Sequence, residues 1–364
     1  MIWLPRGSEG TEGLRTIEMV PGLDALPQTY IAEGWPWAAE IAPIPDKMPD
    51  GQSWPKVSIV TPSFNQGAFL EQTIRSVLLQ GYPNLEYIIM DGGSRDGSLE
   101  ILEKYDRWLS YWASEPDRGQ SHAINKGWSR AGGEILAYLN SDDFYFPGAL
   151  RTMVEAWARN PSIGLVAGGV AFTDAHGRIR SSRQAYLKDG SPGDLSLLLP
   201  EDWFLPQQAA FFPTKMLDKA GRWLREDLHF TMDRELFYRL SRYGEIHLVD
   251  QTLAGDRSHP YTKRTQYTLA MYREDKKALA YCTWGGVEDF HRRLQVARWR
   301  GGQGHIHLAK RSTSRLDSIK HLLLAAVKQP LFLRRRAYQK EFLRTLGMWE
   351  VVNGFRLALI SKIR

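Results

Sequence analysis

The chain has 364 residues, of which 43% are hydrophobic and 12% aromatic, so it is long and apolar enough for one large domain with a smaller addition, and it is not a disordered chain. Its single cysteine, Cys282, excludes an internal disulfide and fits a reducing compartment. No apolar run reaches the length of a membrane span and no segment has the pattern of a signal peptide, so we expect a soluble, cytoplasmic protein.

Positive charge is concentrated towards the C-terminus. The formal net charge is +6, yet residues 291–364 hold 17 Lys and Arg against 3 acids. Such a segment can face nucleic acid, an anionic membrane or an acidic partner. A solvated helical face is the plain alternative.

The first 54 residues are rich in proline and show no sustained period, which predicts an irregular arm without an assigned function. From residue 56 short apolar runs alternate with amphipathic segments. Strands are predicted at 57–60, 87–90 and 135–139, and helices at 69–80, 98–105 and 149–159. This order predicts an α/β domain with a mainly parallel sheet over residues 55–264.

The first predicted helix has one apolar stripe, formed by Leu70, Ile74, Val77 and Leu78. Donor selectivity is assigned to loops such as residues 168–183. From residue 265 to 364 we predict a basic helical appendage, whose helices are interrupted at Gly301-Gly302-Gln303-Gly304 and at Pro330.

Polar residues follow the ends of the predicted strands, where open α/β sheets bind ligands. The first strand leads into Thr61-Pro62-Ser63-Phe64-Asn65, the second into Asp91-Gly92-Gly93-Ser94, and the run 135–139 into Asn140-Ser141-Asp142-Asp143. The adjacent carboxylates Asp142 and Asp143 are hard oxygen donors, which suit Mg²⁺ or Mn²⁺ holding a phosphate.

A fourth polar stretch, residues 115–120, precedes a predicted helix, and its Arg118 can bind a diphosphate or a carboxylate in a fork geometry. The turn after the second strand lacks the G-x-G-x-x-G pattern, which disfavours a dinucleotide-binding oxidoreductase. A plain strand-to-helix turn is the alternative for that segment.

These loops, in this order, resemble a family 2 glycosyltransferase of the GT-A fold over about residues 55–262. The resemblance rests on residues 57–65, 91–94, 115–120, 139–143 with Pro147, 206–212, 228–236 and 253–259. It implies an inverting enzyme that moves a sugar from a nucleoside-diphosphate sugar to a glycan or lipid-linked acceptor in bacterial surface polysaccharide or glycoprotein biosynthesis. A UDP-sugar is the default donor.

The resemblance also implies a donor site. The residues around the nucleotide base are Thr61, Pro62, Phe64 and Asp91, with Asp91 accepting from a base N–H. Asp142 matches the last acid of the family's Asp-x-Asp metal motif, and the first acid is replaced by Asn140, so Asn140 and Ser141 are expected at the sugar or ribose. Asp143 is expected to orient the ligands without touching the ion.

An inverting transfer needs a carboxylate that takes the proton of the acceptor hydroxyl, and positive charge that stabilises the departing diphosphate. The resemblance places Asp233 as the base, Arg118 and Arg257 at the diphosphate, and His259 near the metal. Glu235 is the rival base. The alternative for Asp233 is a helix N-terminal acid that favours the macrodipole.

Two other classes stay open at this point. A sugar-nucleotide nucleotidyltransferase shares the sheet and the metal acids, but residues 61–67 lack its glycine-rich loop with an activating cation. A basic protein that binds membranes or nucleic acid is the other. Residues 310–364 combine Leu322-Leu323-Leu324 with Arg334-Arg335-Arg336, which favours peripheral attachment to the inner face of the cytoplasmic membrane over nucleic acid. The same tail is a candidate for oligomerisation.

Overall fold

The computed structural model describes residues 14–15, 21–28, 34–39, 41, 44–160, 162–188, 194–198, 202–263, 268–282, 287–312, 314–328 and 336–345. The chain divides into two compact units. The larger comprises Met1–Leu195 and Glu201–His259, and the smaller comprises Ser196–Pro200 and Pro260–Arg364.

The larger unit is built on a sheet. Its strands, in chain order, are β1 (Val57–Ser63), β2 (Leu85–Asp91), β3 (Tyr111–Ser114), β4 (Ile135–Tyr138), β5 (Phe144–Tyr145), β6 (Ile163–Thr173), β7 (Ile179–Arg183), β8 (Tyr186–Leu187), β9 (Trp203–Phe204), β10 (Ala210–Pro213) and β11 (Glu245–Arg257). Within the described ranges the main sheet has nine strands in the order β3-β2-β1-β4-β10-β6-β11-β5, with β7 paired to β6, while β8 and β9 form a separate pair.

Helices of the larger unit connect these strands. They are α1 (Gly67–Leu78), α2 (Ser98–Tyr105), α3 (Gln120–Arg130), α4 (Ala149–Ala158), α5 (Thr214–Lys219) and α6 (Met232–Leu240). Strands β1, β2, β3 and β4 are parallel to their neighbours among themselves, and β10 is antiparallel to both β4 and β6. The predicted α/β architecture is therefore confirmed.

Register brings the ends of the parallel strands to one edge of the sheet. Ser63 of β1 pairs with Asp91 of β2, and Asp91 pairs with Ser114 of β3. Every residue of β1 and β2 is buried, as expected for parallel strands covered on both faces. The loops that follow these strands consequently meet at one edge, where α/β sheets bind ligands.

Two packing features hold the helices on this sheet. The apolar stripe predicted for α1 is fully buried in the core. On the other face α3 approaches β1 so closely that a Cβ at Gly127 would lie 2.4 Å from Val60 Cγ1, so a larger residue would force Val60 or the helix to move.

The N-terminal arm, residues 1–54, contacts α1 and β5 through its described residues. The buried Arg75 donates from Nε to the carbonyl oxygen of Pro36 and from Nη1 to that of Pro27. Trp35 donates its indole N–H to the carbonyl of Tyr145. Outside turns, the arm contributes one isolated bridge in the described ranges, between Lys47 and Ser53.

One expectation about the larger unit is wrong. Residues 168–183 were interpreted as loop, but they form most of β6, a turn and β7, with Val170 paired to Arg183. The run 163–173 is almost entirely buried, and β6 is held between β10 and β11. The glycines in this run suggested a loop, yet Gly168 lies where an added Cβ would be 2.4 Å from Leu253 Cδ1, so a close strand contact requires it.

The smaller unit is helical, with α7 (Thr268–Ala280), α8 (Val287–Arg311), α9 (Arg315–Lys328) and α10 (Arg336–Thr345). The predicted interruption at Gly301-Gly302-Gln303-Gly304 is wrong, because α8 continues through it. Trp299, Ile306 and Ala309 of α8 are buried with side chains of α9 and α10. Burying each large side chain stabilises by about 1.5–3 kcal/mol, which outweighs the roughly 1 kcal/mol that each helical glycine costs.

Pro330, Arg334 and Arg335, which also entered the prediction for the tail, lie outside the described residues. No helix in the described ranges is both long and apolar enough to cross a bilayer.

Candidate functional site

The loop after β4 is the centre of the candidate site. Thr73 Oγ1 of α1 lies 2.6 Å from the carbonyl oxygen of Asp143 and 2.9 Å from that of Ser141, so one hydroxyl proton fixes both peptide groups. Ser141 is 3% exposed and contacts α1 through its backbone. The expectation that Ser141 binds the donor stays a prediction.

Asp143 points into the protein. It is 3% exposed, accepts from the Arg257 backbone N–H at 3.0 Å, and accepts from Asn140 Nδ2 at 3.2 Å. Burial, together with the charges of Asp142 and Asp256, raises the pKa of Asp143 well above its usual range. Asp143 therefore holds the loop to β11 and to Asn140, and its expected role in orienting the metal ligands stays a prediction.

Asp142 is the acid of this loop that pairs with a histidine. Its Oδ2 lies 3.1 Å from His259 Nε2, which comes from the residues after β11. The Asp142 side chain is 20% exposed and that of His259 is 2% exposed. The Phe69 ring packs on the imidazole with 4.6 Å between centroids, so the imidazole is held in place against α1.

This pair fits a divalent cation. One carboxylate oxygen and one imidazole nitrogen converge, and no group of three or more His, Cys, Asp or Glu side chains in the described part of the chain surrounds them. Mg²⁺ in phosphate-transfer sites is commonly held by one or two protein ligands together with substrate phosphates and water. Two protein ligands therefore suit an ion that binds together with a diphosphate.

Arg257 links three segments around the same loop. Its Nε donates to the Asp142 carbonyl at 2.7 Å, Nη1 to the Ala175 carbonyl at 2.8 Å, and Nη2 to Gln72 Oε1 at 2.6 Å. The guanidinium also lies over the Phe69 ring, 4.8 Å from its centroid. Arg257 is 3% exposed, so it is a buried side chain that joins these three segments. Its contact to a diphosphate stays a prediction.

Asn140, which replaces the first acid of the family's metal motif, is the hub of a network of side-chain amides. Its Oδ1 accepts from Gln120 Nε2 at 2.5 Å, and its Nδ2 donates to Asp143 Oδ2 and, at 3.3 Å, to Gln207 Oε1. Gln207 Nε2 in turn donates to the Tyr138 carbonyl at 2.6 Å. These contacts require an N–H donor at residue 140, which a carboxylate lacks.

The network contains two residues that sequence reasoning left without a role, Gln120 and Gln207. Both lie in stretches that carry the resemblance, but their local sequence does not indicate this role. An amide that pairs with Asn140 from 67 residues away leaves no local pattern in the sequence.

The residues expected around the base are only partly brought together. Thr61 is fully buried, with its Oγ1 3.0 Å from the Tyr87 hydroxyl, and Pro62 is buried as well. Phe64 is 60% exposed. Asp91 is 2% exposed, and its carboxylate accepts from the backbone N–H groups of Gly93 and Ser94 and from two serine hydroxyls. Asp91 thus holds its own turn, and its contact to a base stays a prediction.

Asp117 is a further acid beside Phe64 and Gly92 that sequence reasoning missed. A Cβ added to Gly92 would lie 2.9 Å from Asp117 Oδ2 and 3.2 Å from the Phe64 ring, so these three residues meet. Asp117 Oδ1 accepts from the Gly119 N–H at 2.7 Å. Its signal in the sequence was the acid two residues before the glycine that precedes α3.

Asp233 lies in the first turn of α6, half-buried. Burial and the nearby charge of Asp233 raise the pKa of Tyr138 well above its usual range. Asp233 Oδ1 accepts from the backbone N–H of Arg234 at 2.8 Å.

The rival base Glu235 faces a different environment. It is fully buried, and Arg239 Nε lies 2.8 Å from Oε1 and 3.0 Å from Oε2. Arg225 adds a second guanidinium at 3.5 Å. An acid held by two arginines and shielded from solvent is a structural ion pair, which counts against Glu235 as the base, and the role of Asp233 stays a prediction.

Arg118 forms its ion pair with Glu226, outside the group of residues around Asp142. Its side chain is 69% exposed and donates from Nε and Nη2 to Glu226 Oε2 at 2.9 and 2.6 Å. Its predicted contact to a diphosphate stays a prediction, and its observed partner is a carboxylate of the chain itself.

Comparison with solved structures identifies the class of this fold. S. aureus TarS 1–349 in complex with UDP-GlcNAc superposes with a TM-score of 0.52 at 17% identity, covering 81% of this chain and 80% of that one. Mannosyltransferase PcManGT from Pyrobaculum calidifontis in complex with GDP-Man and Mn²⁺ gives 0.51 at 16% identity, covering 82% and 87%. The fold is that of the GT-A glycosyltransferases.

Sequence comparison narrows the class to a family. Residues 58–229 match the model "Glycosyl transferase family 2". An uncharacterized glycosyltransferase of Mycobacterium tuberculosis (strain H37Rv) is 33% identical over 192 residues, which cover 51% of this chain and 69% of that protein. The putative teichuronic acid biosynthesis glycosyltransferase TuaG of Bacillus subtilis is 38% identical over 104 residues, 28% of this chain and 41% of TuaG. The chain belongs to glycosyl transferase family 2, and it is a glycosyltransferase.

Proposed function

We propose that this glycosyltransferase is metal-dependent and inverting, and that it transfers a sugar from a UDP-sugar to a hydroxyl of a glycan or lipid-linked acceptor in bacterial surface polysaccharide or glycoprotein biosynthesis. The observation that carries the proposal is the pairing of Asp142 with His259, 3.1 Å apart, beside the end of β4. Two similar proteins support its details, since TarS was solved in complex with UDP-GlcNAc and TuaG is a putative teichuronic acid biosynthesis glycosyltransferase.

Asp142 and His259 would hold Mn²⁺ or Mg²⁺, which supplies positive charge to the departing diphosphate. The chain's own residues arrange the rest of the donor site. Asn140, whose amide is held by Gln120, Asp143 and Gln207, fixes the loop before Asp142, and Phe64 offers an exposed ring against which a base can stack. Asp117 Oδ2, next to that ring, can accept from a base with a ring N–H, as uracil has.

Asp233 would act as the base for the acceptor. Its carboxylate takes the proton of the acceptor hydroxyl while the hydroxyl oxygen bonds to the anomeric carbon. The bond from that carbon to the diphosphate oxygen breaks on the opposite face, and the electron pair leaves with the diphosphate. An α-linked donor then yields a β-linked product.

The proposal is tested by titrating the protein with UDP, GDP and dTDP, each with and without Mn²⁺, in a calorimeter. We expect UDP to bind only with Mn²⁺, and Asp142→Asn to lose this binding. Asp250→Asn is the matched control, since Asp250 is an exposed acid on β11. Failure of all three nucleotides to bind the wild type would refute the donor site.

The base is tested separately by the release of UDP from UDP-glucose, UDP-galactose and UDP-N-acetylglucosamine. Asp233→Asn should keep the affinity for UDP and lower kcat by at least 100-fold, the lower range of the effect of a positioned general base. A variant with wild-type kcat would exclude Asp233 from that role.

We also propose that α9 contacts an anionic membrane surface. Leu316, Leu323 and Val327 lie on one face of this helix and are 80%, 52% and 78% exposed. Lys320 lies on the same face, and the helix belongs to the strongly basic segment 291–364. Leu322, which entered the sequence prediction, is fully buried and does not take part.

Sedimentation with vesicles of phosphatidylglycerol tests this contact. We expect the wild type to sediment with them, and Leu323→Ser with Val327→Ser to stay in the supernatant with an unchanged Tm. Equal sedimentation of both proteins would refute the contact, and binding to DNA instead would favour the nucleic-acid alternative.

A further inference from the structure

We propose that Arg118, Ser121 and Asn125 are positioning residues. Ser121 and Asn125 lie on α3 and Arg118 lies just before it, and together they fix the segment 224–228 and, through it, Asp233. The inference rests on the proposed function, because it takes Asp233 as the base. It assigns Arg118 a role other than the contact to the diphosphate that the sequence suggested.

Asn125 forms a reciprocal pair with the backbone of the segment. Its Nδ2 donates to the Leu224 carbonyl at 2.9 Å, and its Oδ1 accepts from the Leu224 N–H at 2.9 Å. Both polar groups of one peptide residue are thus satisfied by one side-chain amide. Neither aspartate nor leucine at residue 125 can make both hydrogen bonds.

Arg118 holds the next part of the segment through Glu226. Two guanidinium nitrogens donate to Glu226 Oε2, and Asn125 Nδ2 lies 3.4 Å from Glu226 Oε1. Desolvation acts to raise the pKa of Glu226, but the hydrogen bonds from Arg118 and Asn125 lower it, so Glu226 is a carboxylate at neutral pH. Charge-assisted hydrogen bonds of this kind are about twice as strong as neutral ones.

Ser121 completes the contact face. Its Oγ donates to the Leu228 carbonyl at 3.3 Å. Residues 121 and 125 are four apart and project from the same side of α3, while Arg118 lies two residues before the helix begins. Successive contacts therefore hold residues 224, 226 and 228 of the segment.

The segment transmits this placement to α6. Arg225, which lies between the two held residues Leu224 and Glu226, is 3.5 Å from Glu235 of α6. Arg239 Nη2 of the same helix donates to the Trp223 carbonyl at 2.8 Å. The helix that begins with Met232 and Asp233 is consequently tied to the segment that α3 holds.

Helix α3 also contacts the donor loop, residues 140–143. Gln120, the first residue of α3, donates to Asn140 beside Asp142. One rigid helix thus sets the position of the donor loop and of the acid on the acceptor side. An in-line transfer depends on that distance, since a misplacement of about 1 Å can lower the rate 100-fold.

A charge-swap cycle tests the role of Arg118. The proteins are wild type, Arg118→Glu, Glu226→Arg and the double variant, and the measurements are kcat of UDP release from a UDP-sugar and the Kd of UDP with Mn²⁺. We expect each single variant to lose at least tenfold in kcat with Kd within threefold, and the double variant to recover kcat to within threefold of wild type. A double variant as slow as the slower single variant would overturn the proposal, as would a UDP affinity that Arg118→Glu weakens tenfold and the swap leaves weak.

The matched control is the same swap at Arg151 and Glu155 on α4, an exposed pair with Nε and Oε1 2.8 Å apart. These residues touch neither the segment nor the site, so kcat should stay unchanged in all three control variants.

Amide hydrogen exchange judges the contact without any substrate. Asn125→Leu should speed exchange of peptides that cover residues 224–235, because the Leu224 N–H loses its acceptor. Wild-type exchange in that variant would overturn the proposal even if the enzyme were active. A wild type that binds no nucleotide and releases no UDP would instead refute the proposed function, while the exchange result would still decide whether α3 holds the segment.

Discussion

Replacing Asn140 by aspartate restores the acid that the family's metal motif has at this place, yet we expect the change to harm the protein. Asn140 Nδ2 donates to Asp143 Oδ2 at 3.2 Å and to Gln207 Oε1 at 3.3 Å. In Asn140→Asp a carboxylate oxygen takes the place of this donor. Two hydrogen bonds are lost, and two carboxylates face each other at the distance of a hydrogen bond.

The magnitude follows from these distances. Losing a hydrogen bond to a charged group costs about 1.5–3 kcal/mol. Two charges 3.2 Å apart repel by about 5 kcal/mol at an effective dielectric constant of 20. Protonation of one carboxyl relieves much of that repulsion, because the pKa of Asp143 is already raised by burial. Rotating the Gln207 amide gives little relief, since Gln207 Nε2 would leave the Tyr138 carbonyl. We therefore expect a net loss of about 2–4 kcal/mol.

Urea unfolding at pH 7 measures this loss, and titration with Mn²⁺ and UDP measures the metal site. Asn140→Asp should unfold at lower urea than wild type and should not bind Mn²⁺ more tightly. The control is the double variant Asn140→Asp with Asp143→Asn, which returns one amide and one acid to the pair and should recover most of the stability. A single variant as stable as wild type, or one that binds Mn²⁺ tenfold more tightly, would refute the reasoning.

Three further predictions concern the framework. Glu235→Gln leaves Arg239 without a buried countercharge and should cost about 3 kcal/mol in urea unfolding, near the lower end for a broken buried ion pair; an unchanged midpoint would count against the ion pair. Gly127→Ala places a Cβ 2.4 Å from Val60 Cγ1 and should cost about 1–3 kcal/mol, and adding Val60→Ala should return part of that loss, whereas additive losses would contradict the contact. Desolvation acts to raise the pKa of Asp174, but hydrogen bonds from the β6–β7 turn lower it to about 2 from 3.8. The contribution of Asp174 to stability is therefore present above pH 3.8 and is lost as the pH falls towards 2. The acid unfolding curve of Asp174→Asn should be flatter over that window, and a curve as steep as that of wild type would exclude Asp174 as the cause.

Local pattern was sufficient for much of the fold. The α1 stripe is readable because its burial repeats with the period of a helix, whereas β1 and β2 are readable as short, continuous apolar runs. The acids at the strand ends were likewise found because parallel strands place their ends on one edge. The glycines of α8 misled the prediction because packing with α9 and α10 outweighs their intrinsic cost.

The partners of the site residues could not be predicted in the same way. Arg118 suits a diphosphate and a carboxylate equally well, and its observed partner Glu226 lies 108 residues away. Asp91 and Asp117 are both acids near a strand end, but only the structure shows that Asp91 is enclosed by its own turn. The chemical type of a side chain is encoded at one position of the sequence, whereas its availability to a ligand depends on which other residues the fold places next to it.

Helix α1 contacts two different segments of the chain, one on each of two sides. Thr73 holds the peptide groups of the loop that presents Asp142, and Arg75, two positions further, holds the carbonyls of Pro27 and Pro36 in the N-terminal arm. Residues two apart do not share a helix face, so α1 separates the arm from the loop and is fastened to both. The described part of the arm thereby braces the helix that holds the Asp142 loop, and removal of the arm should first lower the affinity for Mn²⁺ and UDP.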